Sequence, residues 1–256
     1  MLVAVTRDVS PAIGRCELTH IRRQTITLNT ARVQHRLYER SLAELGCRLH
    51  QLPAEEELPD SVFVEDAAIV LDELAVITRP GAESRRPETR PIADLLAPYR
   101  KLFRIQQPGT MDGGDVLQTG KTVFAGLSTR TNLEAIDQLR AVLSPFGYTV
   151  HAVQVKGCLH LKSAVTAVAE DTLLMNPEWV DEEAFKGKEI IRVDPAEPRG
   201  ANALLVGRTV LYPAAYSRTR RRLEDQGLTV RTVDLSELAK AEGGVTCCSL
   251  IFDYRQ

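Results

Sequence analysis

Apolar residues along this chain follow two periods that alternate in a recurring order. Leu2 to Thr6 is an apolar run of strand length. From Asn29 onward Val33, Leu37, Leu42 and Leu45 recur at helical spacing, Gly46 supplies a stop, and Arg48 to Leu52 reads as a second strand. The stretch between, Arg7 to Thr27, keeps no clean period, and long loops in compact chains commonly serve as lids. The segment AAIVLDELAVITRP then predicts two strands around Asp72 and Glu73, followed by a helix opened by Pro91 and carrying Ile92, Leu95 and Leu96, and by the strand KLFRI. DVLQTGKTVFAG predicts a hairpin turning at Gly120, with a helix capped by Asn132 and a strand from Tyr148 to Val155 after it. SAVTAVAEDTLLMNP opens another copy, with a weak helix near Glu182 to Phe185 and the strand EIIRV. NALLVGRTVLYP opens the next, with a helix from Ser217 to Gln226 and the strand LTVRTV.

The hairpins start near residues 67, 116, 163, 202 and 245, at steps of 49, 47, 39 and 43 residues. This is a degenerate repeat of order ββαβ whose fifth member is split. CCSLIF at the C-terminus pairs with LVAVT at the N-terminus, whose helix and strand complete the unit. The expected fold is α/β, a ring of five such units over residues 1–256 as one domain, with no exposed sheet edge between first and last. An open α/β sheet also fits the alternation of strands and helices. A β-propeller of four-stranded blades fits worse, because each unit here spends residues on a helix.

Composition is that of a soluble globular protein, 44% hydrophobic and 26% charged. Lys+Arg 32 against Asp+Glu 34 leaves a formal charge of -2, so no summed positive field favours nucleic acid or an anionic membrane. The cluster Arg218, Arg220, Arg221 and Arg222 reads as a solvated helix face. With no secretory pattern at MLVAVTRDVS and no long apolar run, a cytoplasmic location is expected. Five cysteines form no C-x-x-C pair, which points to reduced thiols, no structural zinc site and the question of which thiol is reactive.

Four segments carry candidate chemistry. EGGVTCCSLIF places two adjacent thiols after a double glycine; in a strand Cys247 and Cys248 face opposite ways, so one can reach a central site while the other packs. GCLHLKS aims His160 away from its apolar neighbours. TMDGGDVL flanks a double glycine with Asp112 and Asp115, and DSVFVEDAAIV contributes Asp60, Glu65 and Asp66. Singly, each has a plain structural explanation: core cysteines, a satisfied histidine, an Asx-type turn, solvated loop acids. Jointly they differ, because each sits at the entrance of a hairpin in the repeat, a position that faces one central cavity in a closed ring.

Carboxylates gathered around a thiol and an imidazole suit a planar cation. A guanidinium matches two carboxylates through paired, charge-assisted hydrogen bonds, and its resonance-stabilised carbon demands a strong nucleophile, fixed orientation and protonation of the departing nitrogen. Cys247 can attack, His160 can protonate the amine and then activate water, and Asp112 can orient the guanidinium or the histidine. Arg85 and Arg130 nearby would balance a substrate carboxylate, pointing to an amino acid.

At these residues the chain resembles the dimethylarginine dimethylaminohydrolases of the guanidino-group-modifying superfamily. The resemblance runs nearly end to end, through LVAVTRDVS, FVEDAAIV, ITRPGAESRR, DGGDVL, GLSTRTN, LHLKS, YSRTR and GGVTCCSLIF. It implies a five-bladed α/β propeller (pentein fold), with Cys247 as nucleophile, His160 as general acid and base, and Asp112 as the third triad member. Asp66 would hold the guanidinium, with Asp60 and Glu65 in the same polar set. Arg85 and Arg130 would bind the substrate carboxylate, and the backbone of Leu18 and Ala241 the amino group. The implied reaction converts asymmetric dimethylarginine or monomethylarginine to citrulline and an amine, with no cofactor or metal; a homodimer stays open. The alternatives are a citrulline-forming hydrolase or deiminase of arginine or another N-substituted arginine, and a non-catalytic ribosome-binding protein of the same fold. Asp112 stands where relatives often carry Glu, Glu242 where some carry Asp, and Cys248 adds a second thiol.

Overall fold

The computed structural model describes residues 1–254, and in it the chain forms five three-stranded sheets. The chain opens with β1 (Leu2–Arg7), α1 (Leu28–Glu44) and β2 (Arg48–Leu52), then β3 (Ala68–Val70), β4 (Leu74–Ile77), α2 (Thr89–Leu96) and β5 (Lys101–Arg104). A third set is β6 (Val116–Thr119), β7 (Thr122–Leu127), α3 (Leu133–Leu143) and β8 (Thr149–Gln154). A fourth is α4 (Leu161–Ala164), β9 (Val165–Ala167), β10 (Thr172–Met175) and β11 (Glu189–Arg192), with only a 3₁₀ turn at Glu182–Phe185 where the others have a helix. The last is β12 (Leu204–Val206), β13 (Thr209–Pro213), α5 (Ser217–Asp225) and β14 (Thr229–Val233), after which α6 (Ser236–Ala239) and β15 (Leu250–Asp253) end the chain.

Each sheet joins an antiparallel pair to a parallel one, as a hairpin followed by a helical crossover requires. The split unit obeys the same rule: β15 runs antiparallel to β1, with Leu2 opposite Asp253 and Val5 opposite Leu250, and β1 runs parallel to β2. Strand parity explains how the sheets pack. Val3 and Val5 face the second unit, against Ala75, Ile77 and Ile92, whereas Ala4 between them faces the fifth, against Leu211 and Val245. Likewise Leu173 and Met175 join Phe124 and Val153 of the third unit while Leu174 joins Val210 and Tyr212 of the fifth. The result is five apolar clusters, one at each junction between neighbouring units, including the junction of the last with the first. An open sheet would leave that last junction bare, so the closed, propeller-like ring is the observed architecture.

Three local expectations change. The buried stripe of α1 is Ala31, His35, Tyr38 and Leu42, whereas Val33 and Leu37 are 46% and 53% exposed. The helix is docked by Tyr38, whose hydroxyl reaches the Val245 carbonyl at 2.8 Å and Ser249 Oγ at 2.6 Å, and this rotation turns Val33 and Leu37 outward. The helix at Pro91 starts earlier, at Thr89, after a 3₁₀ segment over Glu83–Glu88. The C-terminal strand begins at Leu250, so Cys247 and Cys248 lie in a turn rather than in a strand.

The hairpins are entered through one-turn helices or turns: a 3₁₀ turn at Val64–Ala67, another at Gly113–Asp115, α4 at Leu161–Ala164, and the turn at residues 245–248. The first two pack on each other, and the second packs on α4. These entrances carry the candidate chemistry. His160 is therefore the N-cap of α4, not a strand residue, but its extended backbone (φ -133°, ψ 161°) still turns the imidazole away from Leu161.

Candidate active site

Asp112 is wholly buried in extended backbone just before its 3₁₀ turn. Its Oδ1 accepts the Gly81 N–H at 3.0 Å, its own N–H donates to Thr131 Oγ1 at 3.2 Å, and its Oδ2 lies 3.0 Å from His160 Nε2. The backbone beyond His160 is pinned by the Leu161 N–H, which donates to Asp115 Oδ1 at 2.9 Å. On its other edge the imidazole faces Asp66, with Nδ1 at 3.8 Å from Oδ1. That oxygen also accepts the Gly114 N–H at 3.0 Å, and Oδ2 accepts Arg85 Nη1 at 2.6 Å. The double glycine is needed for close approach rather than for a left-handed turn. A Cβ on Gly114 would stand 2.6 Å from His160 Nδ1, and one on Gly113 would stand 2.0 Å from the Glu65 carbonyl oxygen.

This packing sets the charges. Burial by itself would push the His160 imidazole down, but Asp66, the hydrogen bond to Asp112, and Asp115 outweigh it and hold the group up at about 9. Burial would raise Asp66, yet the His160 imidazolium and the Arg85 guanidinium bring it down to about 2. The ligating atoms of Asp66, Asp112 and His160 lie within 4.8 Å of one another, a spacing that metal sites share. Here Arg85, Gly81 and Gly114 already engage the carboxylates, which makes the cluster a holder for an imidazolium.

Cys247 is half-buried, and its Sγ accepts the Gly244 N–H at 3.3 Å. Burial, followed by the nearby Glu65 and Asp66 carboxylates, pushes the thiol up to about 12. Cys248 points the other way, into the cluster that joins the last and first units, with its Sγ 3.6 Å from the Gly244 carbonyl oxygen. The two thiols thus face opposite ways, but from a turn instead of a strand.

Asp60, Asp66, Arg85, Arg130, His160, Ala241 and Cys247 line one cavity enclosing about 300 Å³ of empty space. Three other expected residues stand off its wall. Asp112 is behind His160. Glu65 is tied to Lys162 Nζ at 2.5 Å and accepts the Thr246 hydroxyl at 2.7 Å. Leu18 packs against the apolar cluster beneath the loop that was expected to be a lid.

That loop is fastened over the site. The Glu17 N–H donates to Asp60 Oδ2 at 3.1 Å, the N–H groups of Thr19 and His20 donate to the Glu242 carboxylate at 2.7 Å each, and Arg130 Nη2 donates to Thr19 Oγ1 at 3.2 Å. Glu242 has φ 59°, the one non-glycine residue with positive φ among the described residues, and it lies between Ala241 and the double glycine that leads to the thiol. Side chains are rarely held there without a local reason, and the lid contacts supply one.

The two arginines differ. A guanidinium has five N–H groups. Arg85 spends them on Glu88, Asp66 and the carbonyls of Asp60 and Phe63, leaving one Nη1–H for a ligand. Arg130 has its lid contact at Thr19 and no carboxylate partner among the described residues. Glu88, buried beside Arg85, is raised to about 7 chiefly by burial. Sequence reasoning passed over Lys162, Thr246, Asn202 and the lid role of Glu242. Asn202 bonds Thr246 Oγ1 at 3.0 Å and the Lys162 carbonyl at 2.9 Å, from the entrance of the hairpin that starts near 202. Its place in the repeat was the available signal.

Known proteins share this arrangement of sequence and fold. A family model described as N,N dimethylarginine dimethylhydrolase, eukaryotic, matches residues 17–252. The N(G),N(G)-dimethylarginine dimethylaminohydrolase of Pseudomonas aeruginosa is 39% identical over 221 residues, 86% of this chain and 87% of that protein. The protein of the same name from Streptomyces coelicolor is 38% identical over 249 residues, 96% of this chain and 95% of that one. A crystal structure of a mutant of the Pseudomonas aeruginosa protein complexed with citrulline superposes with a TM-score of 0.93 at 35% identity, covering 97% of this chain and 98% of that one.

Proposed function

Since the chain belongs to the dimethylarginine dimethylaminohydrolase family, we propose that its cavity hydrolyses Nω-methylated arginines to citrulline and methylamine or dimethylamine through a covalent intermediate on Cys247. The observation that carries the assignment of roles is the imidazole of His160, held by Asp112 at Nε2, facing Asp66 with Nδ1, and lining the same cavity as Cys247.

In the resting site the thiol is neutral and the imidazole charged. The substrate carboxylate pairs with Arg130, helped by the remaining Arg85 N–H, and the amino group meets Asp60 and the carbonyls near Leu18 and Ala241. The guanidinium settles against Asp66, and its positive charge beside Cys247 favours the thiolate, whose proton leaves to solvent. The sulfur attacks the guanidinium carbon. As the C–N bond breaks, the departing nitrogen takes the Nδ1 proton of His160, the ring edge that Asp112 leaves unengaged. The amine leaves, neutral His160 removes a proton from water, the hydroxide adds to the same carbon, and the C–S bond breaks to give citrulline and the thiolate. Asp112 keeps the ring in register throughout, as the carboxylate of a Ser-His-Asp triad does. Glu65, held by Lys162 and Thr246, supports the turn that presents the thiol.

The test is citrulline release by the purified protein from asymmetric dimethylarginine, monomethylarginine and arginine, with Cys247→Ser as the blank. Turnover of the methylated substrates alone supports the reading. Turnover of arginine alone makes the chain a deiminase, and silence on all three returns the site to a non-catalytic role.

A further inference from the structure

Cys247 stands where two cavities meet. The substrate cavity lies over the second and third units, among Asp60, Asp66, Arg85 and Arg130. A wider basin, about 970 Å³ counted to its open mouth, lies over the fourth and fifth and shares Leu159, Glu242, Gly243 and Cys247 with it. The two differ in character as well as position. The basin wall includes Leu159, Trp179, Tyr216, Val245 and Ile21, with Arg199, Asp234 and Glu242 among them, where the other cavity is walled mainly by acids and arginines.

The direction of the substrate links the two. With its carboxylate on Arg130 and its guanidinium carbon at Cys247 Sγ, an arginine runs from the charged cavity toward the junction. The departing nitrogen lies between His160 and the sulfur, so a group on it that extends past the sulfur on the Leu159 side enters the basin. A methyl group fills little of that space, and the basin has an open mouth instead of a back wall. We infer that the basin is a subsite for the departing amine, and that the chain also hydrolyses arginines bearing apolar N-substituents larger than methyl, such as butyl or benzyl. This rests on the hydrolase reading above and names its substrate class more widely.

The chemistry balances as for the methylated substrate. The C–S bond forms and the C–N bond breaks as the Nδ1 proton of His160 moves to the alkylamine nitrogen; water then supplies the oxygen of citrulline and the C–S bond breaks. No electron donor or acceptor is involved.

The experiment compares Nω-benzyl-L-arginine with monomethyl-L-arginine in the wild-type protein and in Ala239→Trp, with citrulline and the released amine both quantified. Ala239 is exposed at the end of α6 and lines the basin but not the substrate cavity, so a larger side chain there narrows the basin without entering the core. The expected result is benzylamine release with kcat/KM within about tenfold of the monomethyl value, and in Ala239→Trp a loss of about tenfold or more for the benzyl substrate alone, the scale on which a pocket discriminates apolar groups. Trp179→Ala should weaken the benzyl substrate in the same selective way by removing the aromatic wall. Turnover of the monomethyl substrate without any benzylamine overturns the inference, as does a benzyl-to-monomethyl ratio that neither variant changes. Silence on both substrates overturns the hydrolase reading itself. The monomethyl rate reports folding in every variant.

Discussion

Replacing Asp112 with Asn tests how His160 is charged. The carboxylate accepts from two donors at once, the Gly81 N–H and His160 Nε2, each at 3.0 Å. An amide of the same shape has one acceptor oxygen, so Asp112→Asn must set its NH₂ group against one of these donors whichever way it turns. If the oxygen stays with Gly81, the amide faces Nε2–H and the imidazolium loses both its hydrogen bond and a neighbouring negative charge. A buried charge-assisted hydrogen bond is worth about 1.5–3 kcal/mol, and one pKa unit corresponds to about 1.4 kcal/mol, so the imidazolium should weaken by about one to two units. Starting from about 9, the protonated form would be lost near pH 7–8 by that reckoning. The sign follows from the role: a general acid works while protonated, so activity is retained below its pKa and falls as pH rises through it. The pH profile of kcat for monomethylarginine, which reports the complex in which the bound guanidinium already favours the Cys247 thiolate, should show an alkaline limb set by His160 and shifted acidward in Asp112→Asn. At pH 8 the protonated share falls from about 90% to about 10–50%, so kcat should fall about two- to tenfold. An unmoved alkaline limb with undiminished kcat would refute the account of His160.

Further tests address the other parts of the site. Cys247→Ser should abolish turnover while Cys248→Ser keeps most of it, since only the first thiol faces the cavity; equal loss in both variants would remove Cys247 from its role. Arg130→Ala should raise KM about 10–100-fold with little change in kcat, the scale of a lost charge-assisted contact, whereas Arg85→Ala should lower stability by about 3–5 kcal/mol by removing the charged partner of buried Glu88 and one of the two that hold Asp66. Steady-state kinetics and thermal melting separate the two, and an Arg85→Ala protein of wild-type stability would contradict the ion-pair reading. Glu242→Gln withdraws one of the acceptors that hold Thr19 and His20, so trypsin should cut after Arg22 faster and KM should rise; unchanged cleavage would show that the lid is held by other contacts. Gly114→Ala should displace the imidazole and cost most of the activity while circular dichroism stays that of the wild-type, and full activity would mean that the loop yields to the added methyl.

The repeat was legible because helical and strand periods differ and turn residues mark their boundaries. Gly46, Gly120 and the Asn132 cap, whose side chain accepts the Ala135 N–H at 3.1 Å, all stand where the sequence puts them. The parts that were misjudged share a cause. The apolar spacing of Val33 and Leu37 resembles a buried stripe, yet Tyr38 docks α1 by another face through partners more than two hundred residues away. CCSLIF has the composition of a strand, but the turn that sets Cys247 beside Gly244 overrides that propensity.

The same division holds for the site. Residue types and their position in the repeat were enough to bring Cys247, His160, Asp66 and Asp112 together as candidates, because a hairpin entrance in a closed ring can face only the centre. The split order of the first and last strands pointed to closure, and the pairing of β15 with β1 decides it against the open sheet that also fitted the sequence. What only the tertiary structure decides is how charge is shared among residues far apart in the chain. Arg85 is committed to Asp66 and Glu88 while Arg130 is not, Glu65 serves Lys162 and Thr246 behind the thiol, and Glu242 reaches back more than two hundred residues to hold the lid. Periodicity records which way a side chain faces, but the partner of a buried charge depends on distances of a few ångströms across the ring, where a change of neighbour alters the balance between desolvation and pairing.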